Sequence, residues 1–486
     1  MVSDALLTPF YRPAGRSAKE TADRFWYGSA WIVAVAAVVF FSWMFEWEYY
    51  GMVAVIAAAS LMLIFKDDIL PLLPVVLVIC FIFPKNVDPV AYYGATAFLA
   101  FLPLPVAILI HIVRFRRRIR FGKQFLPQLA VSVALALGGL GTATAEEYTR
   151  GLTYILLLGL LILVLYFLFY QYVNPPKELD LRRYVAFAMV VMGLVLVAQY
   201  VVFYYRNPKL LQAVGNPTDL GWGISNNVAT LLLLSIPACF YLAVKSKIGV
   251  GYLFCAVFQY VALLLTWSRG GILVGVVLLS VLLIYGIKAA DHRRWFGVSL
   301  LLVVAAVVAV LAALWEQVFP VLEKALHQGT GDAGRIDLYK EAIECFRSNI
   351  WFGAGVGFIG EHFVMTNMPM YWFHSTAFQI IANMGLVGVA AYLFFYLVRY
   401  FGVLLRRDKF NIAILLGVLG FDAYSMIDTG TFVPVPTMLI VMLITMTAEL
   451  ANKQDRDSEI IIKDNRNRSL SRYSAMQDRP LRFWEK

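Results

Sequence analysis

The sequence predicts an all-α fold, a polytopic membrane bundle of about fourteen transmembrane helices. Three observations carry that prediction. Hydrophobic residues make up 61% of the 486 and charged ones only 15%, whereas soluble domains sit near half apolar and a quarter charged. Apolar runs of membrane-crossing length recur to the end of the chain, and Lys and Arg cluster between alternate runs. With a mean hydropathy of +0.73, the chain has more apolar sequence than a soluble core can hide.

The first apolar run, 26–45, follows a basic lead of Arg12, Arg16, Lys19 and Arg24. No small-residue cleavage site follows it, so it is expected to be a span and not a signal peptide. The further runs are 50–65, 69–83, 91–113, 126–145, 151–173, 184–204, 224–244, 249–267, 271–287, 296–315, 374–398, 411–427 and 434–450. The second, third and thirteenth are short for a helix that crosses hydrocarbon. With segment 1–25 in the cytoplasm, alternation places Arg114 to Arg120, Arg182-Arg183, Lys245 and Lys247, Arg293-Arg294, Arg406-Arg407 and the tail 451–486 on the same side. Roughly three quarters of the Lys and Arg then face the cytoplasm, as the positive-inside rule requires. One span more or fewer would scramble this asymmetry, so the count is even.

The net charge of +10 is therefore assigned to topology and to contact with lipid headgroups. No zinc-finger spacing or basic-aromatic stripe suggests nucleic acid as a partner. Cys80, Cys239 and Cys255 lie in apolar runs as small buried hydrophobes, and Cys345 stands in a polar stretch. No pair suggests a disulfide and no CxxC a metal site.

Two loops between spans stand out on the side opposite the basic residues. One, 205–223, is rich in Asn, Pro and Gly; the other, 316–373, is by far the longest, and loops of that length are usually functional. Within it, Ile336, Tyr339, Ile343 and Phe346 recur at helical spacing from Arg335 to Ser348. That spacing predicts an amphipathic helix on the membrane surface or capping the bundle.

Few cations fall on that side, and three have a placement that suits chemistry. Arg269, in Thr266-Trp267-Ser268-Arg269-Gly270-Gly271, either snorkels to headgroups or clamps an anion. A guanidinium fork matches phosphate oxygens, and adjacent glycines let a phosphate approach the backbone. Arg335 opens the amphipathic helix after Gly329-Thr330-Gly331-Asp332-Ala333-Gly334; it forms a surface ion pair with Asp332 or Asp337, or it completes an anion site at a helix N-terminus. His374, in Tyr371-Trp372-Phe373-His374-Ser375, is a structural imidazole at an aromatic interface or a base for a hydroxyl proton.

Glu341, Glu344 and Asp337 are alternative bases that a solvated helix face also explains. Asp422 and Asp428 lie in or near the outer half of a span, where helix-to-helix hydrogen bonding competes with function. Arg206 and Lys209 are placed to hold a polyanion or merely to solvate their loop. Gly353 to Gly357 is a fragment of a dinucleotide fingerprint without the strand-then-helix context, so a nucleotide cofactor is excluded.

The order of these motifs resembles the O-antigen ligase and O-antigen polymerase superfamily of bacterial envelope polysaccharide glycosyltransferases. Gly215-Asn216-Pro217, with Asn226, Asn227 and Ala229, resembles its asparagine-rich loop and span. Ser268-Arg269-Gly270-Gly271 resembles its SRG turn. Gly334-Arg335, Tyr339 to Phe346 and Trp351-Phe352-Gly353-Ala354-Gly355 resemble its GR-helix-glycine segment. His374-Ser375 and Asn383-Met384-Gly385-Leu386-Val387-Gly388 resemble its histidine span and small-residue turn. The resemblance covers about residues 215–400; residues 1–210 match only as a hydrophobic bundle. The chain departs from it at Ile350, where many members have Pro, and at Ser375, where many have Asn.

The resemblance implies transfer of a glycan from an undecaprenyl-diphosphate carrier to an acceptor hydroxyl of a glycan, lipid or wall polymer. The reaction would take place on the outer face of the cytoplasmic (inner) membrane, by an inverting displacement that needs no nucleotide sugar, cofactor or metal. It implies His374, Arg335 and Arg269 as catalytic residues, with Arg206, Asn226, Asn227, Ser268 and Tyr339 binding substrate. The catalytic region would lie within a bundle of residues 26–450. Two rivals remain: a transporter or flippase of lipid-linked glycans, and a peptidoglycan-type polymerase using an acid such as Glu341 or Glu344. A transporter calls for charge deep in several spans and access from both faces. The expected spans are almost free of such charge, and the notable residues gather on one face.

Overall fold

The computed structural model describes residues 10–11, 18–85, 94–212, 218–316, 319–320, 323, 334–360, 370–404, 406–428, 430–433 and 436–455. Gly215-Asn216-Pro217, the Gly329–Ala333 lead into Arg335 and the tail beyond residue 455 lie outside them. Among the described residues the chain is helical, with no strand. In chain order the helices are α1 (Ala18–Trp26), α2 (Ser29–Met44), α3 (Glu48–Phe65), α4 (Leu70–Ile82), α5 (Thr96–Arg114), α6 (Phe125–Leu137), α7 (Ala145–Tyr172) and α8 (Leu181–Arg206). They continue with α9 (Ser225–Lys245), α10 (Val250–Leu265), α11 (Arg269–Ala289), α12 (Arg293–Ala313), α13 (Arg335–Ser348), α14 (Thr376–Leu404), α15 (Lys409–Ser425) and α16 (436–455).

Each apolar run expected to span contains a helix among its described residues, although the run 126–145 is helical only to Leu137 before Ala145 opens the next helix. Eight of the helices (α3, α5, α7, α8, α9, α11, α12 and α14) are long and apolar enough to cross a membrane, and nine if the bent α1–α2 pair counts as one. Several of the others are shorter: α6, at 13 residues, rises only about 20 Å.

Helix α9 is the axis of the bundle. It packs on α8, α10, α11 and α15, and every residue from Asn227 to Val244 is buried. A helix apolar all round belongs in such a place. Its two ends lie in different surroundings. At its C-terminal end Lys245 pairs with Asp291 at 2.9 Å, and Lys409 pairs with the same carboxylate. Desolvation opposes ionisation of Asp291, but Lys409 and Lys245 prevail and hold its carboxyl below the usual carboxylate range. At the start of neighbouring α8, Arg182 reaches Asp408 at 2.9 Å and Asp455 at 2.6 Å. The opposite end of the bundle gathers the N-termini of α9, α11 and α14 and the C-terminus of α15, and it carries the site described below.

Helix α14 is broken. Gly385 has φ +56° and ψ −149°, a backbone that glycine alone adopts without strain. Segment 350–357 from the preceding loop fills the break. Leu386 and Val387 donate to the carbonyls of Ile350 (2.8 Å) and Trp351 (3.2 Å), while Ala354 and Gly355 donate to those of Ala382 (2.7 Å) and Asn383 (3.1 Å). Amides and carbonyls freed by the break are thus paired inside the protein, as hydrocarbon surroundings demand. Gly139, just past α6, donates to Phe352 O at 2.8 Å, and Thr142 donates its hydroxyl to Gly353 O at 2.9 Å. The glycine run of this loop therefore serves close backbone packing. A Cβ on Gly385 would lie 2.6 Å from Ile350 O, whereas one on Gly402 would meet nothing within 4 Å. Gly385→Ala is expected to lose about 1–3 kcal/mol or more in thermal unfolding of the purified protein. Gly402→Ala, in a regular helical turn, is expected to be neutral or slightly stabilising. Equal melting of the two variants would refute this account of the break.

Two expectations are corrected. The amphipathic helix exists over the expected residues, but its packed face is rotated: Leu338, Ala342 and Cys345 lie against Ala354, Tyr371 and Phe373, and Ile336 is exposed. Partners within the same loop, which periodicity does not reveal, decide the buried face. Burial, then Glu341, pushes the Cys345 thiol up to about 12. Secondly, α14 runs past residue 398 to Leu404 and carries Arg399 into the interior, 2% exposed. Arg399 and Tyr400 both donate to Asp422 of α15. The bundle therefore does hold a buried charge pair.

Candidate functional site

The site is built around the turn that ends α15, Tyr424 to Asp428. Carbonyls at and just past a helix C-terminus have no partners within the helix, and here residues from other elements pair with those of Met426, Ile427 and Asp428. Arg335 Nη1 donates to Ile427 O at 3.1 Å, placing a cation where the helix dipole favours one. Ser375 Oγ donates to Met426 O at 2.8 Å. Thr376 donates its amide to Asp428 O at 3.2 Å and its hydroxyl to the same oxygen at 3.4 Å. The start of α14 is thereby fixed on the end of α15.

His374 precedes α14 with φ +49°, a left-handed backbone that costs a non-glycine residue roughly 1–3 kcal/mol and collects at functional sites. Its Nδ1 lies 3.5 Å from Asp428 Oδ1, the imidazole partly exposed and the carboxylate nearly buried. Asn226, in the first turn of α9, donates to the other carboxylate oxygen, Asp428 Oδ2. Tyr339 of α13 donates to His374 O at 3.4 Å, and its ring stacks on Phe378 with centroids 4.2 Å apart. The imidazole is therefore held through its backbone from one side and faced by a carboxylate on another.

Ser268 caps α11, accepting from Gly271 N at 3.4 Å, and its hydroxyl meets Tyr424 OH at 2.6 Å. Trp267 before it is left-handed as well, φ +52°. A Cβ on Gly270 would lie 3.1 Å from Ile427 and from Tyr424, so the SRG turn sits directly on the α15 turn. Arg269 is exposed beside it. Four helix N-termini, those of α9, α11, α13 and α14, meet at this turn, and their dipoles favour an anion.

The structure thus brings together His374, Arg335, Ser268, Tyr339 and Asn226, with Arg269 at the edge. Two expected substrate-binding residues have other partners. Asn227 accepts from Ile224 N at 2.9 Å and donates to Val433 O at 3.1 Å, tying the α9 start to the chain after α15. Arg206 donates to Met44 O at 2.6 Å, at the end of α2, outside this cluster. Among the alternative bases, Glu341 accepts from Tyr371 OH at 2.6 Å and Asp337 pairs with Lys340 at 2.9 Å. Sequence reasoning missed Tyr424, and it weighed the facing carboxylate Asp428 without placing it beside His374. An acidic residue just past an apolar helix was the available signal, but it fits interhelical hydrogen bonding equally well.

No curated protein matches the chain. Residues 253–393 match the family model described as O-antigen ligase. This is the segment that supplies Ser268, Arg269, Arg335, Tyr339 and His374, so the similarity to O-antigen ligases covers that part of the site.

Proposed function

We propose that this membrane protein transfers a glycan from an undecaprenyl-diphosphate carrier to an acceptor hydroxyl. The observation that carries the reading is an imidazole facing a carboxylate, His374 and Asp428, on the same helix turn that Arg335 contacts. With Nδ1 turned to Asp428, Nε2 is the nitrogen left for a substrate proton. Asp428, 3.5 Å from Nδ1, stabilises the imidazolium that forms. The acceptor oxygen attacks the anomeric carbon as its proton passes to His374. The bond to the carrier phosphate breaks on the opposite side, so the anomeric configuration inverts. Arg335, Arg269 and the converging helix N-termini receive the negative charge on the departing diphosphate, as fixed donors in a dry site do.

The same reading places the protein in the cytoplasmic membrane with this site on the extracytoplasmic face. In its support, Arg182, Lys245 and Lys409 lie at the far end of the bundle, where the positive-inside rule puts cytoplasmic loops. The shared fold and site chemistry serve ligases and polymerases alike; the acceptor distinguishes them.

The test is transfer in proteoliposomes with an undecaprenyl-diphosphate oligosaccharide and a panel of acceptors: the same repeat unit, a lipid-core oligosaccharide and a wall polymer. Product with inverted configuration, unaffected by a chelator, is the expected result. Activity abolished by chelator and restored by a divalent ion would contradict the arginine-based mechanism. Donor movement between leaflets with no product would support a flippase. External labelling of Arg117→Cys in whole cells would overturn the orientation.

A further inference from the structure

Away from this site, α3, α4, α5 and α7 line a partly open cavity of 260 Å³. Its walls include Val55, Ala59, Val76, Ile108, Leu168 and Phe169, and its accessible lining is wholly apolar. The imidazole in the wall, His111, turns Nδ1 to Leu63 O at 2.8 Å, and its Nε2 is buried without a partner. The cavity thus presents no polar atom to a water molecule. Apolar walls of this kind gain contacts when an apolar group fills the space between them. It lies between helices of a membrane bundle, where hydrocarbon chains surround the protein.

The end of the cavity at His111 is basic. His111 packs against Tyr172 and Phe115, with ring centroids 4.5 and 5.0 Å away. Arg117 lies over the Tyr172 ring at 5.9 Å and Arg114 over the Phe115 ring at 5.3 Å. Arg116 and Arg118 beside them are exposed. Asp67, 3.5 Å from Arg117, offsets one of these charges and leaves the rim positive. An apolar slot that ends at a cationic rim matches an amphiphile with a hydrocarbon tail and an anionic head.

We infer that this cavity binds one acyl chain of an anionic glycerophospholipid, with the phosphate on the Arg114–Arg118 rim. The inference does not depend on the transfer reaction. It places a lipid at the end of the bundle opposite His374, where it would brace α3 and α5 against α7.

The test is native mass spectrometry of the full chain, released from detergent micelles containing dioleoyl phosphatidylglycerol or dioleoyl phosphatidylcholine. One phosphatidylglycerol retained, with about a tenfold preference over phosphatidylcholine, is expected from two to three close cationic contacts. Ala59→Phe, which fills the cavity, should abolish retention; Ala59→Leu gives a milder filling if the larger one fails to fold. Arg114→Gln with Arg117→Gln should erase the preference while leaving the fold intact. Equal retention of the two lipids by wild type would overturn the inference, as would unchanged retention when Ala59 is enlarged.

Discussion

His374→Ala is expected to lower the rate of glycan transfer by about 10²–10⁴-fold, the usual worth of a positioned general base. The loss should fall on kcat, with donor KM little changed, because the imidazole meets the acceptor proton and not the lipid diphosphate. Asp428→Asn keeps the shape and removes the charge that faces Nδ1 at 3.5 Å. It should reduce kcat in the same direction and shift the pH profile of kcat, a change that a merely structural role would not produce. Arg335→Ala and Arg269→Ala should lower kcat/KM far more than Arg206→Ala, whose guanidinium is bonded to Met44 O. Wild-type turnover in His374→Ala would remove the proposed base; wild-type turnover in Arg335→Ala would remove the clamp.

The second large effect concerns stability. Arg399 and Asp422 are 2% and 5% exposed, and Tyr396 and Tyr400 stack beside the guanidinium at 4.8 and 5.3 Å. Breaking a buried pair by removing one partner strands a charge and costs about 3–5 kcal/mol. Asp422→Ala should therefore melt well below wild type in detergent. The double replacement of Arg399 and Asp422 by Leu should recover much of the loss, because it removes both desolvation costs. A double variant as unstable as the single one would show that the pair itself, and not the stranded charge, sets stability. Because Asp422 lies two residues before the Tyr424–Asp428 turn, activity should fall together with stability in the single variant.

How far the sequence led can be judged from particular residues. The helices were legible because long apolar runs admit little else in a membrane, and the Arg335–Ser348 helix appears where its spacing put it. The number of full-length spans was not, because runs such as Phe125–Leu137 are apolar to a length that serves a partial crossing as well as a full one. His374, Arg335 and Ser268 stood out because polar groups at the ends of apolar helices are few. Asp428 did not, since its meaning lies in Asn226 and His374, 202 and 54 positions away in sequence, and no periodicity connects them. Arg206 shows the same limit: it is a cation in the appropriate loop, but its partner at Met44 is 162 positions away. The glycine run was equally opaque, because what requires glycine at Gly353 is the backbone of α14, and what crowds Gly355 is the chain at Gly138, Gly139 and Ala143.

The break at Gly385 has a consequence for how the chain is made. A membrane helix ordinarily enters the bilayer with every peptide group already paired, so it needs no other part of the protein. Helix α14 lacks that independence: the carbonyls of Ala382 and Asn383 and the amides of Leu386 and Val387 are completed by residues 350–355. Those residues in turn are held by Gly139 and Thr142, more than 200 positions earlier. The order of assembly follows from this dependence. Helices α6 and α7 must be in place, the loop must fold back onto them, and only then can the two halves of α14 settle at full depth. The settling of α14 is thus also a step that sets His374 on the α15 turn, so a chain that stalls in the membrane before it carries no assembled site.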